Sequence, residues 1–428
     1  ILSSDWSSDV CSSDLGYLCQ SKAKGRGIMK RKSFLGIGLA AIMLTMSAVP
    51  AFAEKATPEA ANEQTQEYDY ENKDLWFKET DNFYWTDAKT AYEHNNMASE
   101  GFDMDAFVNS KMGEGVINNM YYFLTYADQM DPEVLSYWEG IGIKKEIHDE
   151  DDEKRVWTSY TPLSAYEEGN EDKKYPVVFC IHGNNNPLFL AETYGFAQYG
   201  AEQEYITVMP WADNDEIIVE EVQRIMEVLR EEYPIDESRV YVTGFSKGGQ
   251  ATEEVVVACP ELFAAAAPGG APMKDYDTSA IQKAIEYQVP VLAYAGMYDM
   301  GEMYPLGKTN DSWAARWKTR GFMDWMQIAG AQGEEVTVDG SRELAESAED
   351  IVERKLGADF TETEVLELDG TQYYKGSYLN EDGVPVYVQI GIEGAPHWPT
   401  PSIASIVWDF FEQFSRNPET GELIIEAK

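Results

Sequence analysis

Ser246 stands in Gly244-Phe245-Ser246-Lys247-Gly248, a G-x-S-x-G pattern preceded by a β-rich run and followed by a helical one. A serine flanked by two glycines on a sharp strand-to-helix turn is uncrowded, and its hydroxyl projects at a helix N-terminus. That setting suits nucleophilic attack on a carbonyl, because the helix dipole and the Lys247 amide face the oxyanion that develops. A serine hydroxyl needs a base, and the chain contains only four histidines, His94, His148, His182 and His397. A second oxyanion donor is expected from His182-Gly183-Asn184-Asn185-Asn186, which follows a continuous apolar run. The backbone N–H of Asn184 is the first choice for that role and Asn185 the next, while His182 reads as structural.

These groups have to be positioned by regular elements, and after Lys144 the pattern is strands alternating with helices. Val156 to Tyr160 reads as an alternating strand and Val177 to Ile181 as a continuous apolar one. A helical stretch from Leu188 to Gln203 leads to a strand from Tyr205 to Met209. The next helix carries Ile218, Val222, Ile225, Met226 and Leu229 on one face, at the spacing of an amphipathic helix. A strand from Arg239 to Thr243, a helix through Cys259, a strand from Leu262 to Ala267, a helix from Ser279 to Tyr287 and a strand from Val291 to Ala295 follow. Beyond Asp299 the units are a Trp-rich helix around Trp313, Trp317 and Trp325, an acidic helix from Glu343 to Lys355, and strands around Val365 and Tyr373. After a turn at Asn380-Glu381-Asp382-Gly383 come a strand from Val386 to Ile390 and a closing helix from Ile403 to Phe414.

Strand, elbow and helix in this order predict an α/β fold of the α/β-hydrolase class, with a mostly parallel, doubly wound sheet over residues 144–428. In that class the chain order is serine, acid, histidine. Only His397 follows Ser246, in the loop Gly394-Ala395-Pro396-His397-Trp398-Pro399, so it is the expected base. The acid must lie between them on a loop after a strand. Asp299, in Gly296-Met297-Tyr298-Asp299, fits that place, with Glu302 on the same loop as the runner-up. Tyr194, Trp211, Phe245, Tyr298, Tyr304 and Trp398 are candidates to line the cleft as an aromatic rim; packing within the loops is the other reading of each.

Ile235-Asp236 followed by Arg239-Val240-Tyr241-Val242-Thr243-Gly244-Phe245-Ser246-Lys247-Gly248-Gly249 resembles the secreted esterase group of poly(3-hydroxybutyrate) depolymerases and feruloyl and acetylxylan esterases. The resemblance covers residues 144 to 415. It implies a Ser-His-Asp triad, an acyl-enzyme intermediate, no metal or organic cofactor, and a small-molecule or polymeric ester as partner. The group's histidine loop commonly reads Gly-His-x-Trp-Pro, whereas here Trp398-Pro399 follows His397 directly, a departure that bears on the acyl pocket. A serine peptidase of the prolyl-oligopeptidase type shares fold and triad order, but such enzymes usually carry a large propeller, and Asp69 to Gly142 is too short for one. A hydrolase-fold binding protein without catalysis is the reading from another class.

The formal charge is -43, a field that repels polyanions and argues against nucleic acid as a partner. Residues 1–28 repeat a Ser-Ser-Asp phrase and read as a non-native leader. Lys30, Arg31 and Lys32, the apolar run Phe34 to Val49 and Ala51-Phe52-Ala53 form a signal-peptide pattern over 29–53, with cleavage before Glu54 and an extracellular location expected. An uncleaved membrane anchor is the alternative, though the run falls short of the ~20 residues a span needs. Residues 54–68 read as a linker, and 69–143 as an acidic, aromatic-rich extension with a helix from Met104 to Tyr126, packed on the main domain. A cap over the site or a carbohydrate-binding surface are its other readings. Cys180 and Cys259 read as buried free thiols or one disulfide, and neither has neighbours at metal-ligand spacing, so no structural zinc is expected.

Overall fold

The structure is a computed structural model that describes residues 98–113, 132–149, 156–183, 188–210, 215–271, 274, 276–306, 315–332 and 349–426. All of them fall within the unit Ala48–Lys428. The signal-peptide, linker and leader segments lie outside the described residues, as do 69–97 and 114–131 of the extension.

A ten-stranded sheet runs through the described residues. Its strands are β1 (Ile143–Asp149), β2 (Val156–Pro162), β3 (Tyr175–Ile181), β4 (Ile206–Pro210), β5 (Ile235–Phe245), β6 (Ala265–Gly269), β7 (Val291–Gly296), β8 (Glu362–Leu368), β9 (Thr371–Leu379) and β10 (Pro385–Ile392). The spatial order is β1-β2-β4-β3-β5-β6-β7-β10-β9-β8. From β4 through β10 neighbours pair parallel, and an antiparallel pair closes each edge. This is the α/β-hydrolase arrangement. The chain leaves β3 for β4 on one side and returns to β5 on the other, so the strand order reverses there. Side chains and loops at the C-terminal ends of β3 and β5 therefore border the crevice in which open α/β sheets bind ligands.

The central strands are apolar where helices cover both faces, as in β3 and in β5 from Val240 to Val242, whereas the start of β5 carries the charged Asp236, Glu237 and Arg239. Every residue of β3 is buried. β2 corrects the expected alternation: from Trp157 to Pro162 it is buried continuously, since α2 (Pro132–Gly140) brings Trp138 against Tyr160, with ring centroids 4.8 Å apart. The other helices described are α1 (Met104–Val108), α3 (Phe196–Gln203), α4 (Asp215–Glu232), α5 (Lys247–Ala258), α6 (Thr278–Tyr287), α7 (Ala315–Ala329), α8 (Ile351–Leu356) and α9 (Ile403–Phe411). On α4 the residues Ile218, Val222, Ile225, Met226 and Leu229 are all buried, the face its spacing predicts.

Several boundaries differ from the sequence reading for identifiable reasons. The stretch Leu188 to Gln203 divides into a 3-10 helix, Leu188–Tyr194, and α3, separated by Gly195 at φ 87°. The predicted Met104 to Tyr126 helix breaks after Val108, and its part from 114 onward lies outside the described residues. Of the acidic helix, the described part is α8, started by Asp350, whose carboxylate accepts from the Val352 and Glu353 amides. The closing helix stops at Phe411, and a short hairpin follows, β11 (Phe414–Arg416) with β12 (Leu423–Ile425). Arg416 is buried there, its guanidinium donating to the carbonyls of Phe263, Tyr287, Gln288 and Gly421. Cys180 and Cys259 are buried free thiols, and burial pushes the Cys259 thiol up to about 12.

Trp138 is fully buried, so helix α2 shares the core of the sheet. Trp138→Ala is expected to cost about 3–5 kcal/mol of unfolding free energy, as for other buried large-to-small changes, read by urea denaturation. A loss under about 1 kcal/mol, the size of an ordinary surface change, would mean that α2 is only peripheral.

Candidate active site

β5 ends at Phe245 and α5 begins at Lys247, leaving Ser246 between them at φ 59°, ψ -119°. A non-glycine residue in this region costs about 1–3 kcal/mol and persists only where its surroundings fix it. Here the Ser246 N–H donates to Gly269 O at 2.8 Å, and its carbonyl accepts from the Gln250 N–H at 3.1 Å. The glycines allow this approach. A Cβ at Gly248 would lie 2.1 Å from Ile181 O, one at Gly244 2.4 Å from Gly248 O, and one at Gly249 2.4 Å from Gly269 O. The start of α5 thus rests directly on the backbone at the ends of β3 and β6, with Lys247 in the first turn, whose amides point toward the N-terminal end.

His397 brings Nε2 to 2.8 Å from Ser246 Oγ, and its Nδ1 lies 2.8 Å from Asp299 Oδ2. Asp299 is fully buried and His397 nearly so. The other oxygen of Asp299 accepts from the Gly301 N–H at 2.9 Å. A carboxylate on Nδ1 favours the tautomer that carries its proton there, leaving the Nε2 lone pair toward the serine hydroxyl. The loops bearing acid and base are packed backbone on backbone. Tyr298 N–H donates to Ala395 O at 3.0 Å, and a Cβ at Gly296 would stand 2.3 Å from that same oxygen. The Phe245 ring supports the imidazole, with centroids 4.9 Å apart. Glu302, the other candidate acid, donates its N–H to Asp299 O; the carboxylate on His397 is that of Asp299.

On the oxyanion side, Asn184, Asn185 and Trp211 lie outside the described residues. The residues flanking the segment of Asn184 and Asn185 are anchored to the sheet. Gly183 N–H donates to Tyr194 Oη at 3.2 Å, and the 3-10 helix carrying Tyr194 is fixed by Glu192. That carboxylate pairs with Lys145 Nζ at 2.5 Å, both side chains buried, and accepts from the Tyr160 hydroxyl. Such a pair fixes geometry more than it stabilises. His182 is buried with Nδ1 2.7 Å from Gly183 O, the structural role its position suggests.

The aromatic rim needs correction. Tyr194, Phe245, Tyr304 and Trp398 are all at most 5 % exposed. Tyr304 donates its hydroxyl to Gln389 Oε1 in the sheet, and Tyr194 packs edge-on beneath Phe245. These rings lie under the site and brace its loops. Of the predicted rim, Tyr298 is half-buried and meets Phe102 at 6.0 Å. Phe102 belongs to the extension that the sequence reads as packed on the main domain or as a cap over the site, and the contacts it makes are ones the sequence did not specify: Ser99 N–H donates to Tyr298 O at 2.9 Å, and Ala98 forms a bridge with Asp299. No local pattern could have marked a contact between segments so distant in the chain.

One turn of helix and more beyond the serine, Glu253 is buried on α5. Its Oε2 accepts from the Lys274 N–H at 3.0 Å, while Oε1 is buried with no hydrogen-bond partner. Burial holds this carboxyl well above the usual range, against the smaller opposing pull of Lys274.

Residues 197–296, from α3 to the end of β7, match the prolyl oligopeptidase family; the span includes Ser246 and stops before Asp299 and His397. No curated protein sequence matches the chain. Among solved structures it is similar to an acetyl xylan esterase from Aspergillus awamori, at 15 % identity and TM-score 0.38 over 63 % of this chain and 99 % of that one. A feruloyl esterase module from Clostridium thermocellum complexed with sinapinate gives 13 % identity and TM-score 0.38, over 63 % of this chain and 87 % of that one. A fluorophosphonate-binding serine hydrolase of Staphylococcus aureus gives 14 % identity and TM-score 0.31, over 37 % and 80 %. The fold assignment rests on strand order, the elbow and the family match.

Two outcomes follow from this geometry. Gly248→Ala places a methyl group against the Ile181 carbonyl and is expected to cost about 2–3 kcal/mol, read as a lower Tm. Between the unfolded-chain value of Glu253, near 4.5, and its raised value in the fold, the native state keeps a proton that the unfolded chain releases. Stability therefore falls as pH rises across that interval. Glu253→Gln keeps an acceptor for Lys274 and should remove up to about 1.4 kcal/mol of that loss per pH unit; denaturation curves at several pH values that stay parallel to wild type would contradict it.

Proposed function

We propose that this chain is a secreted serine esterase that hydrolyses carboxylic esters through Ser246, His397 and Asp299. The observation that carries the reading is the unbroken hydrogen-bond chain from Asp299 through both ring nitrogens of His397 to Ser246 Oγ, 2.8 Å at each step. In this mechanism Ser246 Oγ attacks the ester carbonyl while His397 Nε2 takes its proton. The oxyanion of the tetrahedral intermediate is held by the N–H groups of Lys247 and Asn184. Collapse breaks the bond to the alcohol oxygen, which His397 protonates, and leaves an acyl group on Ser246. Water, deprotonated by the same imidazole, then releases the acid and restores the serine. Asp299 orients His397 and stabilises its imidazolium without taking the proton. The substrate classes favoured are carbohydrate-linked acyl or feruloyl esters and polyester-type chains. The signal-peptide pattern over 29–53 supports secretion, with Glu54 as the first mature residue.

A second reading is a serine peptidase, favoured by the family match over 197–296. The same triad geometry serves either acyl group, so substrate comparison decides between them.

Hydrolysis of p-nitrophenyl acetate is expected, with negligible turnover of peptide p-nitroanilides; the reverse preference supports the peptidase. Ser246→Ala and His397→Ala should each abolish ester hydrolysis, and Asp299→Asn should lower kcat by about 10⁴-fold through the wrong imidazole tautomer. A fluorophosphonate should label Ser246 in the wild type, and an unlabelled, inactive protein would point to a binding role. N-terminal sequencing of protein exported from the cell should begin at Glu54; export failure would remove the secretion claim.

A further inference from the structure

At the C-terminal end of β3 the ladder to β4 stops at Phe179 and the ladder to β5 at Ile181, so the amide of Gly183, which is buried, has no strand to bond. A buried N–H needs a partner from elsewhere. It finds the hydroxyl of Tyr194, which accepts from Gly183 N–H at 3.2 Å. The carbonyl of Gly183 lies 2.7 Å from His182 Nδ1, and a carbonyl can only accept, so that nitrogen carries a proton. Gly183 is therefore held at both ends of its backbone. A Cβ at Gly248 would stand 2.6 Å from His182 O, so the same turn is seated on the first turn of α5. The ring of Tyr194 meets that of Phe245 edge-on, with centroids 6.2 Å apart. One buried side chain thus touches the residue before Ser246 with its ring and the residue before Asn184 with its hydroxyl.

We propose that Tyr194 is a positioning residue for the oxyanion hole: it sets the turn after β3 against the elbow after β5, so that the amides of the two loops converge on one carbonyl oxygen. The inference rests on the esterase reading, in which Lys247 and Asn184 supply those amides. The carbonyl of a peptide group and the amide that follows share a plane, so bonds that fix Gly183 also limit the donor that succeeds it. A hydroxyl suits the place better than a carboxylate. Burial holds the Tyr194 proton well above the ordinary tyrosine range, so the group that accepts from Gly183 is neutral and adds no charge opposing the oxyanion. The carboxylate of this part of the core sits two residues away and faces elsewhere. Glu192 turns to β1 and β2, where Lys145 and the Tyr160 hydroxyl bind it, and its own carbonyl accepts from Gln198 Nε2 at 3.1 Å. The 3-10 helix is thus tied at Glu192 as well as at Tyr194, which leaves the hydroxyl little room to move. Oxyanion donors act when they are aimed before the reaction begins, and a misplacement of about 1 Å can cost about 100-fold in rate.

The test is Tyr194→Phe, which removes the hydroxyl and keeps the ring. With p-nitrophenyl acetate, kcat should fall about 10- to 100-fold, at or below the loss of about 10²–10³-fold on deleting a donor outright, and KM should stay within about twofold. p-Nitrophenyl thionoacetate, with sulfur in place of the carbonyl oxygen, gives the readout that a merely structural role would not move. Sulfur accepts hydrogen bonds weakly, so its turnover draws little on the oxyanion amides and should fall less than about threefold. Tyr241→Phe is the control, since it deletes a buried hydroxyl that donates to Phe414 O at 2.8 Å; it should lower Tm and leave the ester-to-thionoester ratio at the wild-type value. An unchanged kcat in Tyr194→Phe, or an equal fall for both substrates, overturns the proposal. Should that variant not fold, Tyr160→Phe loosens Glu192 with Tyr194 in place, and an ester-to-thionoester ratio that it fails to lower overturns the proposal. A wild type inactive on p-nitrophenyl acetate counts instead against the esterase reading. Positioning is then read from fluorophosphonate labelling of Ser246, in which the phosphoryl oxygen takes the place of the oxyanion: no label, or an equal rate in wild type and Tyr194→Phe, overturns it.

Discussion

Where Gly248 passes over the end of β3, a methyl group would lie 2.1 Å from the Ile181 carbonyl oxygen, closer than atoms pack. The missing side chain lets α5 descend onto the strand ends, which holds Ser246 at its positive φ with its amide bonded to Gly269. The same device recurs at the acid strand, where Gly296 meets the backbone of Ala395 and Pro396. Three loops are thereby pressed together along one edge of the sheet. Side chains on loops so constrained reach one another with little freedom left to lose, which is what preorganised proton transfer requires.

Around this edge the protein spends buried polar groups on positioning. Tyr194 under Gly183, Glu192 with Lys145 and Tyr160, and Tyr304 on Gln389 each tie a site loop to the sheet beneath. The rings beside the triad serve the same end by filling space under it. At the outer edge, β8 is exposed along its first four residues and carries Glu362, Glu364 and Glu367. Charges there discourage pairing with a further strand.

The sequence reads residues 69–143 as an extension packed on the main domain; of its described residues, Trp138 is fully buried against the sheet and Ala98 bridges Asp299 on the acid loop. Aromatic content alone does not tell a ring in a core from a ring on a platform. Phe107 is the first kind, and Phe102 is half-buried against Tyr298.

Chain-local chemistry was legible in the residues themselves. The strand, glycine elbow and helix around Ser246, and the rule that places a lone later histidine last, singled out Ser246 and His397 and left Asp299 or Glu302, on one loop, as the acid. Amphipathic spacing likewise identified the buried face of α4. Such features are encoded by neighbours in sequence, whose backbone geometry depends on few other residues. Tertiary structure decided the rest: that Asp299 and not Glu302 meets His397, that Tyr194, Phe245, Tyr304 and Trp398 are buried under the site loops, and that Ala98 and Ser99 bond to the acid loop. These depend on which loop backbones touch across long stretches of chain, a contact no short pattern records because it is set by the packing of the whole sheet edge.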